Sequence, residues 1–202
     1  MREGENMKFK MVRHFWTVTK HRHHVFINCC KCGIPFRGLL HDLSKFSFTE
    51  FLNSSKYYVG VSSPVYEQRK ANDFVSTIAL HHTGRNKHHW EYWVDFHRGN
   101  LIISMFPYKY AVEYFCDMIA ANRVYSGKKA FKRENVLKYW LEKKEKYYYI
   151  HPKMLEFVTW ALQRYAENGF KGLKKKDTKQ KYYELMKDSS YVLKYKVELE
   201  VL

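Results

Sequence analysis

The chemistry of this chain concentrates at His41-Asp42. A neutral imidazole nitrogen beside a carboxylate oxygen is a mixed donor set that suits zinc, manganese, iron or nickel. Alone, such a pair is more often a surface or capping feature. Here His21 lies upstream, His81-His82 lies downstream and Asp117 follows later, giving the order H…HD…HH…D. His88, His89 and Glu91 stand just past the second pair, in a stretch dense in imidazoles and rings. They read as ligands of a second ion, as substrate contacts or as ordinary surface groups. Lys45, Arg85, Lys109 and Arg123 adjoin these donors in sequence and are cations able to neutralise phosphate charge. Each is equally able to balance Asp42 or Asp117.

A bound divalent ion lowers the pKa of its water to about 7 and polarises a phosphoryl oxygen, so no protein nucleophile is required. The chain has neither a G-x-S-x-G elbow nor a P-loop to point to another route. Asp42, with two oxygens, is the natural bridge if two ions are present. Adjacent imidazoles on a helix diverge by about 100°. His81 and His82 therefore suit a pair of ions better than one tight shell, which predicts two transition-metal ions per chain.

Helices must position these groups. Over residues 8–32, His14, Val18, His21, Val25, Cys29 and Cys32 recur at three- and four-residue steps, which places His21 on the apolar face. Gly33 ends that helix, and a short one after Pro35 leads into His41-Asp42. Ser47 or Thr49 is placed to cap the next. Residues 66–82 read as one helix with Val75, Ile78 and Ala79 inward and the histidine pair at its end. A loop is expected from Gly99 to Pro107, and then the clearest helix, to about Tyr125, with Tyr110, Tyr114, Asp117, Ala121 and Val124 on one face. Lys-rich helices follow over 132–146, on Val136, Leu137, Trp140 and Leu141, and over 153–167. The run "KKKDTKQK" reads as a hinge or loop, and "KYKVELEVL" alternates like a strand without a visible partner.

Apolar residues make up 46% of the chain and aromatics 18%, which excludes a disordered polymer. No apolar run approaches the roughly 18 residues of a membrane span. The segment "MREGENMKFK" has no apolar signal region, so a cytoplasmic location and free thiols at the four cysteines are expected. The net charge of +16 favours phosphorylated or nucleic-acid partners over cationic ones, unless it is merely a solvated Lys-rich surface.

Several segments resemble the HD-domain metal-dependent phosphohydrolase superfamily. "GLLHDLSKFS" is similar to its HD signature, "HRHHV" to its first helix, "ALHHTGR" to the paired-His helix of its two-metal branches, and "CDMIAANRVY" to its closing Asp helix. The longer string "GLLHDLSKFSFTEF…HHTGRNKHHWEYW" also resembles a small bacterial and phage family of unassigned function. The resemblance implies an all-α, single HD-like helical domain. Its metal-binding core would cover residues 8–126; residues 127–202 lie beyond the resemblance and read, from their own residues, as a Lys-rich helical extension packed on the core. It implies His21, His41, Asp42, His81, His82 and Asp117 as metal ligands; Asp42, with Lys45 and Arg85 beside the ligands in sequence, is expected to be catalytic. One departure is that no lone His lies between Asp42 and His81, so a second ion needs His88, His89 or Glu91.

The expected function is hydrolysis of a nucleotide or other phosphorylated small molecule, through a hydroxide on one or two divalent ions (Mn, Fe, Co, Ni or Zn). The alternatives are an HD-type di-iron oxygenase and a basic nucleic-acid-binding protein with a structural metal site.

Overall fold

The computed structural model describes residues 6–146, 149–187 and 189–196. The architecture is largely helical, with one small sheet. Helix α1 (Met7–Lys31) starts where the Asn6 side chain accepts a hydrogen bond from the Lys8 amide. Its buried residues, His14, Val18, His21, Val25, Asn28 and Cys29, form the single face that the periodicity predicts. Helix α2 (Pro35–Leu40) opens on proline and packs tightly across α1. A Cβ at Gly38 would lie 2.7 Å from Cys29 Cβ and 2.9 Å from Phe26 Cα, so only glycine allows this approach. That approach delivers the residues following α2 to the level of His21.

Asp42 takes the left-handed conformation, φ 50° and ψ 34°, and starts a 3-10 turn over Leu43–Phe46. Aspartate tolerates this region better than most residues. Ser47 then caps α3 (Phe48–Lys56) by accepting from the Glu50 amide. Helix α4 (Pro64–Ala71) and helix α5 (Thr77–Thr83) stand where one helix over 66–82 is expected. Asp73 and Phe74 break it with positive φ values of 45° and 66°. Ser76 restarts the helix by accepting from the Ala79 amide. Val75, expected inward, is exposed in the break.

The segment expected as a loop from Gly99 to Pro107 instead holds the second strand of a hairpin. Strand β1 (Val94–His97) turns through Arg98 and Gly99, both at positive φ, into β2 (Asn100–Ser104). Two such residues suit a two-residue hairpin turn. Strand β3 (Val192–Lys196) pairs antiparallel with β2, from Asn100 opposite Lys196 to Ser104 opposite Val192. The described part of the alternating tail thus has a partner, and the all-α expectation gives way to a mainly helical fold with a three-stranded sheet. The rest of the tail, 197–202, lies outside the described residues.

Helix α6 (Tyr108–Ala130) runs through the middle of the molecule and kinks at Gly127. Helix α7 (Arg133–Lys144), α8 (Pro152–Asn168) and α9 (Lys175–Met186) complete the fold. The run expected as a hinge belongs to α9, whose buried stripe is Thr178, Tyr182, Leu185 and Met186. Leu141, expected inward on α7, is exposed. One apolar cluster joins Val25 and Cys29 of α1, Phe115 and Ile119 of α6, Trp140 of α7, Phe157 of α8 and Tyr182 of α9. Residues on both sides of position 127 thus share one core.

Candidate metal centre

Two neighbouring groups of side chains each offer metal-ligating atoms within 4.8 Å of one another. One is His21, His41 and Asp117; the other is Asp42, His82, His88 and His89. Asp42 lies between them. Its Oδ2 is 3.3 Å from His41 Nε2, while its Oδ1 is 3.4 Å from His82 Nε2 and 3.5 Å from His88 Nε2. On the first side, His21 Nε2 is 2.9 Å and His41 Nε2 3.6 Å from Asp117 Oδ1. A third grouping, His41, His88 and Glu113, is also close enough. Glu113 is already engaged, however, by a two-pronged pair with Arg37 at 2.7–3.0 Å and by His41 Nδ1 at 3.0 Å.

The fold places each of these groups by identifiable contacts. Arg22 of α1 donates from Nε to the His41 carbonyl at 2.7 Å and from Nη2 to the Leu39 carbonyl at 3.0 Å. It thereby fastens the end of α2 against α1. Asn28 donates to the Cys116 carbonyl at 3.0 Å and sets α6 beside α1. Asn86 donates to Ser44 Oγ at 2.9 Å and to the His82 carbonyl at 2.8 Å. That ties the segment before His88 and His89 to the turn after Asp42.

Two of the imidazoles carry carboxylates on the nitrogen that faces away from the cluster. His41 Nδ1 meets Glu113, and His82 Nδ1 meets Glu50 Oε1 at 2.7 Å. In each case the carboxylate accepts from Nδ1–H and aims Nε2 at the cluster, an arrangement common behind ligating histidines. His41 Nε2, Asp42 Oδ1, His88 Nε2 and His89 Nε2 are buried with no hydrogen-bond partner. Buried polar atoms are nearly always paired. Four orphans, each belonging to one of the ligating groups, fit a cation that several donors share.

The electrostatics agree. Burial pushes the Asp42 and Asp117 carboxyls toward the neutral form. Their neighbours overcome it, His41, Lys45 and His82 for Asp42, His21 and His41 for Asp117, and hold both well below the usual carboxylate range. Burial opposes charge on His41 too, yet Asp42, Asp117 and Glu113 hold it well above its ordinary value. His88 and His89 go the other way. Burial, then a neighbouring imidazole (His89 and His82 respectively), depresses them, His89 to about 3, so both are neutral donors at pH 7. Lys45 places Nζ 2.6 Å from Asp42 Oδ2 and 3.2 Å from His82 Nε2.

Of the expected site residues, His21, His41, Asp42, Lys45, His82, His88, His89 and Asp117 thus meet in one place. His81 does not join the ligating groups: its Nδ1 is 3.6 Å from Glu50 Oε2, on the far side of that carboxylate. Glu91 is outside them as well, with Oε2 buried and unpartnered. Arg85 is exposed on the turn after α5. Lys109 is exposed over the ring of Tyr110, and Arg123 over that of Phe131. Sequence reasoning missed Glu113, Glu50 and Arg37. Glu113 stands one turn before Asp117 on α6, a spacing that puts both carboxylates on one side. Glu50 sits three residues after Ser47, where it reads as part of a helix cap.

The fold and the site together define a largely helical protein with a buried His/carboxylate cluster able to hold metal ions. Residues 10–164 match the model of a family of unknown function (DUF5662), and the chain belongs to that family. No curated protein matches the chain, and no solved structure matches it. Among the described residues, no helix is long and apolar enough to cross a membrane. The four cysteines are free thiols, with Cys32 and Cys116 sulfurs 3.7 Å apart.

Proposed function

We propose that the chain is a metal-dependent phosphohydrolase of the HD type, acting on a nucleotide or another phosphorylated small molecule. The carrying observation is the set of orphaned buried donors around Asp42. In this reading His21, His41, Asp42 and Asp117 hold a first divalent ion. Asp42, His82, His88 and His89 hold a second, with Asp42 between the two. Ions so bound supply Lewis acidity and a water acidic enough to attack phosphorus at neutral pH.

The chain's own residues do the rest. Glu113 and Glu50 keep the two imidazoles aimed inward and in one tautomer. Lys45, half-buried beside Asp42, is the cation nearest the cluster and is held charged by Asp42 and Glu50 despite burial. When ions neutralise Asp42, its ammonium is free to meet a phosphoryl oxygen. Water would give up one proton to solvent as its oxygen bonds to phosphorus; the ester P–O bond would break, and the departing alkoxide would take a proton from solvent or a nearby acid.

The test is metal analysis of the purified protein, followed by a panel of phosphate esters with Mn, Co, Ni, Mg and Fe(II). Two transition-metal ions per chain and turnover of at least one ester class are expected. Asp42→Asn keeps the volume and tolerates the left-handed backbone; it should lose bound metal and at least 100-fold of the turnover while staying helical. Full metal content in that variant, or no turnover with any metal, would sink the reading. Dioxygen consumption with iron and a visible absorption band would replace it with the oxygenase.

A further inference from the structure

A cleft of about 170 Å³ opens directly onto the cluster. Lys45, His82 and Asp117 lie at one end of it, with His21. It follows α1 and α6 away from the metal ligands. His14 is two turns before His21 on α1, and Tyr125 is about two turns after Asp117 on α6, so each lies about 10 Å along its helix from a ligand. Both line the cleft. Val18, Pro64, Ile78 and Ala121 make its sides apolar.

The charged lining residues, Lys45, Glu50 and Asp117, are each tied to a group of the metal cluster. The far end presents His14, Tyr125 and the hydroxyl of Ser54. His14 is buried, packs its ring against Phe51 and Tyr58 at 5.3 and 5.2 Å, and leaves Nδ1 without a hydrogen-bond partner. Burial, with Lys45 adding to it, depresses its pKa to about 4, so it is a neutral imidazole at pH 7. A neutral imidazole can accept one hydrogen bond and donate another. Glu50, which also lines the cleft, favours charge on His14, but burial outweighs it. As for size, a dry cavity of about 150 Å³ holds one benzene ring. A ribose together with a base is too large for this space.

We propose that the cleft selects phosphate esters of a small, uncharged alcohol with a body about one six-membered ring in size, and that His14 hydrogen-bonds a hydroxyl at the far end of that body. The phosphate end of this assignment rests on the phosphohydrolase reading; the far end rests on the cleft alone. Nucleotides are then poor substrates, because the base stays outside. His14 is a specificity residue here, seven residues from the nearest ligand on its helix.

The first experiment needs neither metal nor turnover. Phenol is titrated into the metal-free protein while the side-chain ¹⁵N resonances of His14 are followed by NMR. Those resonances should shift, and His14→Phe, close in volume and still aromatic, should weaken phenol binding at least fivefold. His14→Gln, which keeps a hydrogen-bonding group, should recover part of it. Unshifted His14 resonances, or equal binding in His14→Phe, would overturn the assignment.

The second experiment uses the metal-loaded protein. With 4-hydroxyphenyl phosphate, kcat/KM should exceed that with dAMP at least tenfold. His14→Phe should raise KM for this ester about fivefold with kcat unchanged, and leave phenyl phosphate unmoved. Preference for dAMP would overturn the size argument while leaving the phosphohydrolase reading intact. Phenol binding at His14 with no ester turned over would do the reverse.

Discussion

The two halves of the molecule bury opposite things. Between α1 and α5 the interior holds His14, His21, Asn28, His41, Asp42, Glu50, Gln68 and His82, while Phe36, Phe48, Phe74 and Leu80 lie exposed. From α7 to α9 the interior is Trp140, Met154, Phe157, Leu162, Leu173 and Tyr182, with His151 and Thr178 among its few buried polar residues. The first half spends burial on groups that gain little from leaving water. The second removes large apolar surfaces from water, each worth roughly 1.5–3 kcal/mol on full burial. α6 belongs to both, since Phe115 and Ile119 face the apolar cluster and Glu113 and Asp117 face the donors. The aromatic half therefore supplies stability that the chemical half cannot provide for itself.

The largest effect should come from removing the stabilising half. Truncation after Gly169 deletes Leu173, Tyr182, Leu185 and Met186 from the shared core, along with β3 from the edge of β2. Losing that many buried side chains exceeds the usual net stability of about 5–15 kcal/mol. The truncated chain should lose its cooperative melting transition and its metal together. A soluble fragment with a full complement of metal would show that the halves are independent and would break the comparison.

A smaller effect, confined to the chemical half, should follow Glu113→Gln. The amide keeps shape but loses the charge that pairs with Arg37 and orients His41. Outer carboxylates of this type typically contribute about 10–100-fold in metal affinity. Metal titration should show a loss in that range. Turnover at saturating metal should change less than affinity does. An unchanged affinity would mean that Glu113 serves only the Arg37 pair.

How much of this was legible in the sequence follows the same division. His41-Asp42 and His21 could be found because one is a dipeptide and the other lies on a clear periodic face. His81 and His82 cannot be separated from sequence, because the phase of α5 depends on the break at Asp73 and Phe74, and a bulky Phe gives no signal of positive φ. Glu113 gives no local signal: its role exists only where α2 brings Arg37 and His41 against α6. Sheet pairing failed for a similar reason, since β2 and β3 are separated by almost the whole second half of the chain. The run "KKKDTKQK" reads as a loop because its lysines mask the stripe of Thr178, Tyr182, Leu185 and Met186 that makes α9 a helix.

The smallest predicted effect tests whether His14 is held neutral as the cleft requires. Its folded pKa of about 4 lies below the ordinary histidine value of 6.5. Between these two values the unfolded chain holds more protons at this residue than the folded chain does. Stability from His14 is therefore fully present above pH 6.5 and falls as pH drops toward 4. His88 and His89 act with the same sign, and His24 and His151 do so with smaller depressions. His41 has the opposite sign, but its contribution is lost only as pH rises above 6.5 toward its raised folded value. In metal-free protein, the fall in Tm from pH 6.5 to pH 4 should thus be shallower in His14→Phe. Thermal melts at several pH values in EDTA give the slope directly. An identical slope in the two proteins would mean that His14 takes up its proton in the folded state, and that the far end of the cleft is charged in acid.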